Sequence, residues 1–193
     1  MQDERSISVM VLVAVVVVAI AAWAYWRTQR RRTLARKYGA EFERLARDKG
    51  DADRAARELE EREKRVSRFK LRDLTPAQRG HYVTIWNRIQ AGFVDGPARA
   101  AEEAHSLLMD VMRDRGYPDV DLAQRQRDLS VHYPDLIEPY REASEIAARR
   151  GTPGTASTED LRRATICYRS LFDALLNERK APRGASKTRR EVA

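Results

Sequence analysis

The stretch TPAQRGHYVTIWNRIQAGF, residues 75–93, decides the fold class. Thr75 can cap a helix, Pro76 suits the first helical position, and Gln78 completes a capping box three residues after the cap. Apolar residues then recur at helical spacing, and they are Tyr82, Ile85, Trp86, Ile89 and Phe93. The stretch therefore predicts an amphipathic helix whose apolar face, with Trp86 at its centre, is buried.

Helical patterns continue on the carboxyl side of this stretch. Asp95-Gly96-Pro97, Arg115-Gly116-Tyr117-Pro118 and the glycine-rich segment 151–157 separate the apolar stripes. Asp95 is expected to cap the helix that begins at Pro97, and Ser157 with Asp160 is expected to cap the last one. No run alternates with a period of two, so the pattern predicts an all-α bundle of four to five helices over residues 75–179.

The preceding segment, residues 38–74, is rich in charge. Leu34, Tyr38, Phe42 and Leu45 lie on one helix face, and a break is expected at Gly50. Three pairs of opposite charge lie four residues apart in the favourable order: Glu58 with Arg62, Glu60 with Lys64, and Glu61 with Arg65. The pattern predicts a charged, exposed helical stalk, with too few heptads to require a coiled coil.

An uncharged run, ISVMVLVAVVVVAIAAWAYW, occupies residues 7–26. Its twenty residues would rise about 30 Å as a helix, which matches the hydrocarbon core of a bilayer. The sequence therefore predicts a single transmembrane helix, preceded by a short flank at residues 1–6.

Aromatic and basic side chains close this run. The predicted membrane-interface residues are Trp23, Tyr25, Trp26, Arg27, Arg30, Arg31 and Arg32. Residues 27–37 form a basic juxtamembrane collar without an acid, whereas the leading flank carries a net charge of −1. This asymmetry predicts an amino terminus outside and a cytoplasmic carboxyl-terminal domain. The alternative is an exported protein whose leader is cleaved after Ala21 or Ala24.

The formal net charge of +8 is unevenly distributed. The collar carries +6 and the tail at residues 180–193 carries +4, whereas residues 38–179 carry −1. A nearly neutral folded region argues against a nucleic-acid partner and favours lipid contact by the collar. The tail is expected to be disordered, and the partners expected are membrane lipids and one or more proteins.

Candidate chemistry is sparse. Glu102 and His105 are spaced as in the Glu-x-x-His motif of di-iron bundles, but a second copy of the motif is missing from the sequence. They remain weak metal candidates, and a packed core histidine is the simpler interpretation. Cys167 lies beside an apolar stripe and is interpreted as a small buried side chain. No cofactor is expected, and the pattern leans away from an enzyme.

Four stretches resemble a family of uncharacterised bacterial, often actinobacterial, proteins. They are WNRIQAGFVDGPARAAEEA, MRDRGYP, LSVHYPDLIEPYREA and TEDLRRATICYRSLFDALL. The resemblance covers residues 38–176 and implies a helical soluble domain behind an amino-terminal hydrophobic helix, with no known activity. The combined expectation is a non-enzymatic, membrane-tethered interaction or scaffold module. The alternative is a metal- or ligand-binding bundle, with enzymatic activity an option, that uses His105 and nearby carboxylates.

Overall fold

The computed structural model describes the backbone of residues 2–149 and 156–177. Within these ranges, the burial of side chains is described for Leu12 and for all residues from Ala14. The helices are α1 (Gln2–Tyr38), α2 (Ala40–Lys49), α3 (Ala52–Val66), α4 (Pro76–Gly92), α5 (Pro97–Arg115), α6 (Leu122–His132), α7 (Ile137–Arg149) and α8 (Thr158–Asn177). These described ranges contain no strand, so the predicted all-helical class is confirmed. The predicted tail at 180–193 and most of the glycine-rich segment at 151–157 lie outside them.

The transmembrane helix expected at residues 7–26 is wrong. Among the described residues, no helix is long and apolar enough to cross a membrane. The predicted orientation stays a prediction.

The chain forms two compact units, Met1–Glu63 and Lys64–Ala193. In the first unit, α2 and α3 fold back on the carboxyl-terminal half of α1. Glycines make both turns: Gly39 has a φ of 47° and Gly50 has a φ of 64°, values that favour glycine over other residues. The small core consists of Leu34, Tyr38, Phe42, Leu45, Ala55, Ala56 and Leu59.

The part of the predicted exposed stalk up to residue 63 is therefore folded onto this core, whereas residues 64–74 belong to the second unit. Ala55 and Leu59 of α3 are completely buried. The expected pair between Glu58 and Arg62 forms, with 3.1 Å between Arg62 Nε and Glu58 Oε1. In the other two expected pairs, Glu60 and Arg65 bind residues from other helices instead. Glu60 binds Arg30, and Arg65 binds Asp128 at 3.0 Å, because helix packing brings these distant charges together.

Between α3 and α4 the chain docks against the end of α5. The backbone N–H of Arg72 donates to the carbonyl of Arg115 at 3.0 Å. Gly116 ends α5 with a φ of 91°, and a Cβ added there would lie 2.6 Å from the carbonyl oxygen of Lys70. This close approach requires glycine.

The second unit contains a bundle of α4–α8 among its described residues. α5 and α8 form its central pair, with α4 packed against α5, α7 against α8, and α6 against α7. Trp86 is 1% exposed and stacks on Phe172, with 5.0 Å between the ring centroids. The expected burial of Trp86 is confirmed.

The helix starts follow the local signals with one exception. The Thr75 hydroxyl and the Gln78 side chain form the expected capping box. The Ser157 hydroxyl accepts from the backbone N–H of Asp160 at 3.1 Å, as predicted. The prediction that Asp95 caps α5 is wrong. Gly96 occupies the cap position directly before Pro97, so α5 has no side-chain cap. The structure adds a cap by Asp121 on α6 that the sequence analysis missed.

Candidate functional site

The metal candidates lie on α5 without an assembled ligand set. Glu102 is exposed, and His105 is half-buried with its ring centroid 5.4 Å from that of Tyr168 on α8. In the parts of the chain that the structure describes, no group of three or more His, Cys, Asp or Glu side chains is placed to hold a metal ion. His105 thus contributes to the contact between α5 and α8.

The single cysteine lies on α8 in a protected environment. Cys167 is half-buried, and burial raises the pKa of its thiol, with the nearby Glu142 carboxylate adding to the rise. A raised pKa keeps the thiolate population low at neutral pH. The residue therefore lacks the electrostatic activation expected of a nucleophile.

Between Ala14 and Trp26, helix α1 exposes apolar side chains in all directions. We define the N-terminal arm as residue 12 together with residues 14–26, and its exposed aliphatic residues are Leu12, Val15, Val16, Val17, Val18 and Ile20. Their exposed fractions run from 49% to 67%. Because successive residues rotate by about 100° around a helix, the four consecutive valines cover every face. Valine and isoleucine side chains displayed in this way lack the burial that normally offsets their hydration cost.

The predicted interface aromatics continue the arm. Trp23, Tyr25 and Trp26 are each more than half exposed. The Arg27 guanidinium lies 5.0 Å from the Trp23 ring centroid, and the Arg30 guanidinium lies 5.2 Å from that of Trp26. These cation–π contacts join the aromatic end of the arm to the collar.

Much of the collar is already paired with acids of α3. Arg27 and Arg31 both bind the Asp53 carboxylate, with 3.0 Å between Arg31 Nε and Asp53 Oδ1. Arg30 binds Glu60, and Lys37 binds Glu63. Arg32 is exposed, and no ion pair is recorded for it within the described ranges. The sequence analysis missed these pairs because their partners are more than twenty residues apart.

Tyr38 extends this contact between α1 and α3. Its hydroxyl donates to Glu63 Oε1 at 2.6 Å. Burial, supported by the hydrogen bond to Glu63, raises the Tyr38 pKa well above its ordinary value. Burial alone would also raise the Glu63 pKa, but hydrogen bonds from Lys37 and Tyr38 outweigh that effect and lower it. The pair thus favours a neutral phenol beside an ionised carboxylate.

A cavity of about 230 Å³ lies where the arm meets α3. Its lining residues are Trp23, Trp26, Arg27, Arg30, Arg31, Asp53, Ala56 and Arg57. A larger cavity of about 500 Å³ lies between α4 and α5 in the second unit and includes Glu102 in its wall. The smaller cavity combines two tryptophan rings with four arginines.

Comparison with protein-family models, curated proteins and solved structures finds no match to this chain. The resemblance to the bacterial family therefore stays a prediction.

Proposed function

We propose that this protein is a non-enzymatic helical interaction module that attaches to a lipid membrane through its N-terminal arm. The observation that carries the proposal is the exposure of aliphatic side chains on every face of the arm. A groove on a partner protein would cover one face of such a helix, whereas acyl chains surround it. The occupant proposed is therefore lipid.

The residues that follow the arm support the same occupant. Tryptophan and tyrosine favour the boundary between acyl chains and headgroups, where an apolar ring and a polar edge are both accommodated. Trp23, Tyr25 and Trp26 stand between the aliphatic part of the arm and the arginines. This order matches the change from acyl chain to headgroup.

The bundle is the module that the arm would hold at the membrane. It is assigned a scaffolding role because its helices α4–α8 pack together and the sequence of residues 38–179 is nearly neutral in charge. Its protein partners stay a prediction. The metal-binding and exported alternatives also stay predictions, and no contact among the described residues favours either.

Vesicle flotation of the full chain tests the lipid attachment. Wild-type protein should float with phosphatidylcholine vesicles. The double variant Val16→Asp/Val18→Asp places two charges on opposite sides of the arm, and at a cost of roughly 2–3 kcal/mol for each charge entering lipid it should stay at the bottom of the gradient.

The matched control is Val94→Asp/Ile166→Asp, which adds the same charge at exposed apolar positions of the bundle. This control should float like the wild type. Equal flotation of the two double variants, or wild-type protein that does not float, would defeat the proposal.

A further inference from the structure

The cavity where the arm meets α3 has an excess of positive charge. Four of its lining residues are arginines, at positions 27, 30, 31 and 57, and one is an acid, Asp53. Asp53 is buried and shared between Arg27 and Arg31, so one carboxylate faces two guanidinium groups. Even with Glu60, which pairs with Arg30, the cations outnumber the acids.

Arg57 is the least constrained of these arginines. It lies on the exposed side of α3 at the cavity wall, and among the described residues no ion pair is recorded for it. A planar guanidinium presents parallel N–H donors that match two oxygens of a phosphate group. The charge and donor geometry of the cavity therefore suit a phosphate.

The opposite wall of the same cavity is aromatic. Trp23 and Trp26 line it, and both belong to the end of the exposed arm. A molecule whose acyl chains lie along the arm would thus reach the arginines with its headgroup. The volume of about 230 Å³ is below the range of roughly 300–1,000 Å³ typical of sites that enclose a whole drug-sized ligand. It suits a headgroup whose chains remain outside.

We propose that this cavity binds the phosphate of an anionic phospholipid headgroup, with Arg57 as a direct ligand. The inference rests on the proposed attachment of the arm to lipid and adds a headgroup preference to it. Arg27 and Arg31 orient the site through Asp53, and the two tryptophans hold it at the level of the headgroups.

A matched pair of arginines separates a specific site from general attraction between charges. Arg36 also lies in this unit, is exposed, and has no recorded ion pair within the described ranges. On a helical wheel it falls roughly opposite to Arg27 and Arg31, which face α3. Arg57→Gln and Arg36→Gln remove the same charge, and neither removes a recorded ion pair.

The experiment measures binding of the full chain to vesicles of phosphatidylcholine alone and of phosphatidylcholine with phosphatidic acid. Wild-type protein should bind the anionic vesicles more tightly. Arg57→Gln should reduce that preference by about fivefold or more, and Arg36→Gln should reduce it much less. Circular dichroism of both variants should match the wild type, because each changed side chain is exposed.

The outcomes distinguish this inference from the attachment itself. Wild-type binding to both kinds of vesicle without an anionic preference would overturn the headgroup site and leave the attachment standing. Absence of binding to either kind would overturn both. Equal losses from the two variants would assign the preference to diffuse electrostatics. A melting temperature raised by inorganic phosphate, without an anionic-vesicle preference, would reassign the cavity to a soluble phosphate.

Discussion

Trp86 is one of the largest fully buried side chains of the bundle core. It stacks on Phe172, and the Arg169 guanidinium lies 5.3 Å from its ring centroid. Trp86→Ala should lower the free energy of unfolding by about 3–5 kcal/mol, because a large cavity would remain between α4 and α8. Urea unfolding followed by circular dichroism measures the loss. Val83→Ala, at an exposed position of the same helix, should change stability by at most about 0.5 kcal/mol, and a similar loss in both variants would refute this role.

Substitution of two glycines of the second unit by alanine should change the stability of the protein in opposite directions. Gly116→Ala should destabilise the protein by about 1–3 kcal/mol, because φ is 91° and the new Cβ would meet the Lys70 carbonyl. Gly80 lies within α4 with nothing within 4 Å of an added Cβ, so Gly80→Ala should stabilise by about 0.5–1 kcal/mol. Thermal unfolding of both variants measures this, and a shift of both melting temperatures in the same direction would contradict the backbone geometry of the two glycines.

Tyr82 should make stability depend on alkaline pH. Its hydroxyl donates to Asp114 Oδ2 at 2.8 Å, and burial together with that bond raises its pKa well above 10.0. The folded state therefore keeps the proton on the Tyr82 hydroxyl. The contribution of this hydroxyl to the free energy of unfolding is complete below about pH 10, and it decreases at higher pH because the tyrosine ionises in the unfolded state. The difference in melting temperature between the wild type and Tyr82→Phe should be smaller at pH 11 than at pH 8. A gap of constant size would exclude this linkage.

At the scale of helices, the contact of α2 with α3 is held by a buried ion pair. Arg62 Nη1 lies 2.8 Å from Glu41 Oε1, and both side chains are buried. Arg62→Ala should destabilise the first unit by about 3–5 kcal/mol, since it leaves the Glu41 charge buried beside one fewer cation. Denaturant unfolding tests this. Arg54→Ala, which breaks an exposed pair with Asp51, should cost at most about 1 kcal/mol, and losses of equal size would contradict the buried role.

Helix starts could be predicted from sequence because a cap joins residues about three positions apart. Thr75 with Gln78 and Ser157 with Asp160 are examples. The pairing of Arg31 with Asp53 could not be predicted, because no local rule relates residues that meet only after α3 folds back. For the same reason, the pairing of Glu60 with Arg30 and of Arg65 with Asp128 could not be predicted. The candidate site was therefore predicted as a set of aromatic and basic residues, whereas its acidic side and its cavity were not.

At the scale of the whole molecule, one chain carries both an exposed apolar arm and a packed helical bundle. The transmembrane span expected from the uncharged run is wrong, since no helix among the described residues meets the requirements for crossing a bilayer. The exposure of the arm remains as the feature that requires a partner. Its cost in water would be offset by contact with acyl chains.

The most direct measurement places an environment-sensitive fluorophore at Val17→Cys in a Cys167→Ala background. Val17 lies in the middle of the arm and is 59% exposed. On addition of phosphatidylcholine vesicles, its emission should shift to shorter wavelength and become protected from an aqueous quencher. The same fluorophore at Val94→Cys, an exposed bundle position, should show neither change. Equal behaviour of the two labelled proteins would contradict the claim that the arm enters lipid.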